Sequence, residues 1–123
     1  MTIPTIRLAT LADLEALVRL RIALMREMGA IDAEAGSETA ALAEALRRYI
    51  ATELPAERFL AWIAVAGDGE VIACSGLVFV QKPPSPQNHG GREAYIMNMY
   101  TVPTWRGRGL ASRLCAAIIA RAH

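Results

Sequence analysis

Residues 94–123 read AYIMNMYTVPTWRGRGLASRLCAAIIARAH, and the organisation of the chain turns on this stretch. It predicts a buried strand from Ala94 to Val102, a tight turn from Pro103 to Arg108, and a helix from Gly109 to the region of Ala122. The turn carries Arg106, Gly107, Arg108, Gly109, Leu110 and Ala111 in succession. A glycine-rich turn that feeds a helix presents several backbone N–H groups at the positive end of the helix dipole, which suits a phosphate. The two glycines let an anion approach the main chain without a side chain in the way. Arg106 and Arg108 add fixed positive charge beside it. The junction therefore reads as a phosphate cradle.

Working back from it, Gln81 to Arg92 (QKPPSPQNHGGR) holds three prolines and two glycines and predicts an exposed loop. A single loop histidine such as His89 is more often solvated than catalytic. Phe59–Ala66 and Val71–Val80 are apolar runs joined by Gly67-Asp68-Gly69-Glu70, the signal of an antiparallel hairpin. Both runs are nearly continuous, so both faces of their sheet should be covered. Gly76 within the second run points to a bulge or a close neighbour.

Ser37 to about Ala51 predicts a helix with Leu42, Leu46, Tyr49 and Ile50 on one side, after a turn-rich break at Asp32–Ser37. An earlier helix is headed by Thr10 and Asp13, an acidic capping box, and closed by Gly29. Ile3–Leu8 is a short β-branched first strand. The order strand, helix, helix, strand, strand, strand, helix indicates an α/β or α+β sandwich with a mixed sheet.

At 123 residues and 54% hydrophobic content, the chain can build one core and is too short for two domains. A net charge of +1 argues against a nucleic-acid binder, including a DNA-facing regulator. No acid follows Glu93, whereas Arg106, Arg108, Arg113 and Arg121 do, so the last quarter is a local cationic patch suited to a small polyanion. Cys74 and Cys115 form no C-x-x-C and no metal-ligand spacing, which predicts small buried residues of a reducing compartment and no metal. The N-terminus lacks the pattern of a signal peptide, and no run approaches the roughly 18 to 20 apolar residues of a membrane span. The expected setting is cytoplasmic, away from membranes.

At Arg106 to Ala111 the sequence resembles the GNAT superfamily of acyl-CoA-dependent N-acyltransferases. Their signature, Q/R-x-x-G-x-G/A after a β-strand, is met by Arg106, Gly109 and Ala111, with Val102-Pro103 before it and Leu110 within it. The element order agrees with the family through its fourth strand and third helix. A dinucleotide fingerprint, nearly imitated by Gly107, Gly109 and Ser112, fails at the third position and lacks the acid some 20 residues on. A P-loop lacks its G-K-[ST].

The resemblance implies a mixed, mostly antiparallel central sheet flanked by helices. Residues 1–123 would then be one N-acetyltransferase-like domain, truncated after the third helix and lacking the C-terminal strands and helix. It further implies acetyl-CoA as donor, and direct attack by a primary amine of a small molecule, amino acid or peptide in a ternary complex. Tyr100, Thr101 and Val102 would pair with the pantetheine arm as an added strand does. Arg106, Gly107, Arg108, Gly109, Leu110 and Ala111 would hold the pyrophosphate, and a free N–H of the splayed strand would polarise the thioester carbonyl.

An amine near the lysine reference pKa of roughly 10.4 is protonated at neutral pH, so a carboxylate must take its proton. Glu93, thirteen positions before Arg106, stands where family members with a glutamate base carry it. Asn98 would orient the amine or a water. The family's general acid is expected beyond residue 123. An apolar strand left without its neighbour exposes an open edge, so a homodimer or aggregation is expected. The alternative reading is a non-catalytic CoA-binding or interaction domain of the same fold.

Overall fold

The computed structural model describes residues 3–31 and 36–122, with the Asp32–Ala35 part of the expected break and His123 outside the described residues. Strand β1 (Thr5–Leu8) leads through a 3₁₀ turn (Leu11–Asp13) into α1 (Leu14–Glu27), followed by α2 (Gly36–Glu53). Strands β2 (Phe59–Val65), β3 (Val71–Gln81) and β4 (Arg92–Thr101) come next. A second 3₁₀ turn (Pro103–Trp105) and α3 (Leu110–Ala122) complete the chain. The sheet order is β1-β2-β3-β4, and all three pairings are antiparallel.

The apolar runs of β2 and β3 are explained by what lies on either side. In β2, Phe59, Ala61 and Ile63 pack with Leu17, Leu20 and Ile50 of α1 and α2 in one core. The alternate residues Leu60, Trp62 and Ala64 pack with Leu110, Leu114 and Ile118 of α3 in the other. Successive side chains point to opposite faces, so a strand between two helical layers must be apolar at every position. Only one stripe of α3 is buried. Leu110, Leu114 and Ile118 lie within it, whereas Ala111 and Ile119 are exposed. A helix resting on a single sheet covers a narrow stripe and leaves its flanks to solvent.

The start of the chain is held by one carboxylate. Asp13 accepts two hydrogen bonds from the Arg7 guanidinium, at 2.8 and 2.9 Å, and one from the Thr10 N–H at 2.8 Å. The Thr10 hydroxyl accepts from the Ala12 N–H, completing the expected capping box. Arg7 holds the Asp13 carboxyl below its usual range, against the desolvation that would raise it. Asp13→Ala is expected to lower the unfolding free energy by about 2 kcal/mol in urea denaturation. Because the folded pKa is depressed, this stabilisation is present above a pH of about 4 and fades as pH falls through the lower folded value. An unchanged midpoint at neutral pH would show that Arg7 and Thr10 gain nothing from the contact.

Strand β4 departs from expectation. It begins two residues earlier than the sequence suggests and is largely exposed, with Tyr95, Ile96 and Met97 each 41–50% accessible. It pairs only with β3 among the described residues, so it is an edge strand. Among the described residues, no helix is long and apolar enough to cross a membrane.

Candidate active site

Two features meet along β4. The first is a bulge. The register steps from Gly76↔Met97 to Cys74↔Tyr100, so β4 carries one residue more than β3 over this interval. Asn98 occupies the kink with φ of 61°, a left-handed conformation that asparagine tolerates better than most residues. Gly76 is needed opposite it: a Cβ there would lie 2.8 Å from the Phe59 ring and 3.1 Å from the Met97 carbonyl. The expected bulge and close neighbour are both present.

The Asn98 kink is held from two sides. Its carbonyl accepts from the Cys74 thiol at 3.1 Å, and its side-chain oxygen accepts from Arg21 of α1. Burial pushes the Cys74 thiol up to about 12, which leaves it unreactive as a nucleophile. Between this bulge and helices α1 and α2 lies a cavity of about 310 Å³, walled mainly by Leu17, Leu42, Leu46, Tyr49, Ile50 and Phe59. Its polar side chains include Arg21 and Asn98. Ser75 pairs opposite Trp62, so its buried hydroxyl, without a hydrogen-bond partner among the described residues, faces the α3 side of the sheet.

The second feature is the turn after β4. Val102 donates its N–H to the Ile72 carbonyl at 2.9 Å, and its own carbonyl accepts from Trp105. Both groups are thus used within the fold, which leaves strand-like pairing along the open edge to residues before Val102. Gly107 and Gly109 both have φ of 78°, and a Cβ on either would meet no atom within 4 Å. Glycine is therefore required here by backbone conformation, and the space above it is open. The N–H groups of Gly107, Gly109, Leu110 and Ala111 donate to no backbone carbonyl among the described residues. The buried Leu110 side chain anchors the start of α3, while Ala111 faces out.

The arginines of the turn are held in place. Arg106 donates to the Thr101 carbonyl at 2.9 Å and to Glu27 of α1 at 2.6 Å, with its guanidinium 5.4 Å from the Tyr100 ring centre. Glu27 was not singled out from the sequence: it sits on α1 like any solvated helix glutamate. Arg108 lies over the Trp105 ring, 4.5 Å from its centre.

Glu93 is not brought into the cavity lining. It shares the face of Met97 by strand alternation but stands four residues away, about 13 Å along the strand. Its carboxylate is bonded by the Tyr95 hydroxyl and lies 2.9 Å from the Lys82 ammonium, which together hold it below the usual carboxylate range. Tyr95 lies one pleat nearer the cavity than Glu93, and periodicity gave no reason to choose it. No cluster of His, Cys, Asp or Glu able to hold a metal occurs among the described residues.

An antiparallel sheet between helical layers, a bulged edge strand and a glycine turn opening a helix thus occur together in this chain. The profile of the Acetyltransferase (GNAT) family matches residues 17–123. The chain belongs to the GNAT acetyltransferase family. Among solved structures, a predicted acetyltransferase of Clostridium acetobutylicum crystallised with acetyl-CoA is 30% identical with a TM-score of 0.84. That match covers 97% of this chain and 73% of that one. A GCN5-related N-acetyltransferase of Ralstonia eutropha is 29% identical with a TM-score of 0.82, covering 96% and 74%. Glucosamine-6-phosphate N-acetyltransferase of Arabidopsis thaliana, at 12% identity and a TM-score of 0.65 over 97% and 74%, shares the fold alone. No curated protein matches the sequence.

Proposed function

We propose that the protein is an N-acetyltransferase that passes the acetyl group of acetyl-CoA to a primary amine by direct attack in a ternary complex. The observation that carries this reading is the open glycine turn at the head of α3, where the N–H groups of Gly107, Gly109, Leu110 and Ala111 donate to no backbone carbonyl among the described residues. The cavity on the α1–α2 side of the same strand adds a place for the acceptor. The turn fits a diphosphate: Gly107 and Gly109 leave the approach clear, and the N–H groups of Gly107, Gly109, Leu110 and Ala111 supply donors at a helix N-terminus. Arg106 and Arg108 flank it with positive charge, and Tyr100 and Thr101 lie along the edge proposed for the pantetheine arm. Acetyl-CoA, when bound, supplies the activated acyl group.

On this reading the amine nitrogen forms the new N–C bond as the C–S bond breaks, and the leaving thiolate takes a second proton from the same nitrogen, relayed by water, to end as the thiol. The first proton shed by the amine passes to Glu93 by way of the Tyr95 hydroxyl or water, since Glu93 itself stands back from the cavity. Asn98, at the kink, orients the incoming amine. A second reading, a CoA-binding domain without turnover, draws support from the pairing of Glu93 with Lys82. A thiol-release assay with acetyl-CoA over a panel of amines decides between them. Release that depends on the amine supports the enzyme, while calorimetric binding of CoA without release supports the second reading. The absence of any heat with CoA would remove both.

A second copy is the occupant we infer for the first part of the open edge of β4, by strand pairing before the Asn98 kink, which leaves Tyr100 and Thr101 to the pantetheine arm. Light scattering is expected to give a dimer, and a monodisperse, freely soluble monomer would count against it.

A further inference from the structure

The acceptor cavity has an unusual charge pattern for a site that takes amines. Its walls are apolar, and among the described residues Arg21 is the one charged side chain that lines it. Four acids of the two covering helices pair elsewhere: Glu15 and Glu44 with Arg47, Glu27 with Arg106, and Glu53 with Arg58. Arg21 bonds instead to the neutral side-chain oxygen of Asn98. A guanidinium carries five N–H donors in a planar fork that matches a carboxylate, so most of its capacity is unused.

Resting on the acetyltransferase reading, we propose that the acceptor is an amino acid with a large apolar side chain, its carboxylate seated on Arg21 and its side chain among Leu42, Leu46 and Phe59. A cavity of about 310 Å³ suits one small molecule rather than a folded protein surface. Arg21 also disfavours the ammonium form of an amine placed beside it, which helps the nitrogen shed its proton before attack. The lone pair on that nitrogen then takes the acetyl carbon, the thiol leaves as CoA, and the product is the N-acetyl amino acid.

The test varies the ligand before the protein. Phenylalanine, leucine and methionine are compared with phenylalaninamide and phenethylamine, which keep the amine and the apolar body but lose the carboxylate. The free acids are expected to have kcat/KM at least 30-fold higher, carried mainly by KM. Arg21→Gln should erase that preference, and Arg21→Lys should keep part of it. Calorimetry of N-acetylphenylalanine against its amide, in the presence of CoA, reads the same preference without turnover. Equal handling of acids and amides, or no binding of either product, overturns the proposal. If CoA still binds and other amines are acetylated, the acetyltransferase reading survives that result. If CoA itself gives no heat, that underlying reading has failed.

Discussion

Gly109→Asp is expected to lower the affinity for acetyl-CoA at least a hundredfold while leaving the protein folded. The two effects separate because of what surrounds the residue. At φ of 78° a non-glycine residue costs about 1 to 2 kcal/mol, and aspartate is among the residues that tolerate it best. No atom lies within 4 Å of the added Cβ, so packing is undisturbed. The new carboxylate, however, stands in the space proposed for a diphosphate. Two like charges about 4 Å apart at an effective dielectric near 20 repel by about 4 kcal/mol, a factor of several hundred in affinity. Solvent at this exposed turn reduces that figure, and the hundredfold expectation includes the reduction. Gly109→Ala, which carries the conformational cost without the charge, should lose tenfold or less. Calorimetry with CoA alongside thermal melts gives both numbers, and unaltered affinity in the aspartate variant would mean that the diphosphate lies elsewhere.

Glu93→Gln is expected to reduce kcat about a hundredfold with little change in the KM for acetyl-CoA. General-base catalysis contributes roughly 10²- to 10⁴-fold, and the lower end applies because Glu93 stands back from the cavity and acts through Tyr95 or water. The pH dependence has a definite sign. The Tyr95 hydroxyl and then Lys82 hold the Glu93 carboxyl below its usual range, so it stays ionised throughout the neutral region. Its protonation therefore adds no acid limb above a pH of about 5, and the rise of rate with pH should follow the amine's own deprotonation. A variant with full activity would release Glu93 from this role. An acid limb near pH 6 to 7 that vanishes in the variant would mean that the Lys82 and Tyr95 contacts are broken in the complex.

What could be read beforehand followed from local rules. The strand-turn-helix junction, the capping box of Thr10 and Asp13, the Gly67–Glu70 hairpin loop and the tight contact at Gly76 each depend on a few neighbouring residues. The two-sided burial of β2 showed as an unbroken apolar run. The misreadings concern partners distant in sequence. Nothing near Glu27 signals that it meets Arg106 seventy-nine positions later, and nothing near Arg21 signals Asn98. The apolar character of Ala94–Val102 suggested burial, yet that composition also suits a strand whose second neighbour is not among the described elements.

The extra residue at Asn98 acts as a phase shift in the alternation of β4. Met97 and Tyr100 are an odd number of steps apart, and in an unbroken pleat they would face opposite ways; the kink lets both serve the α1–α2 side. Shortening the strand by that single residue would invert one half of it relative to the other. Either Glu93, Tyr95 and Met97 would swing toward α3, or Tyr100 would leave its place beneath Arg106. The acceptor chamber and the anion turn are thus kept in step by one supernumerary amino acid.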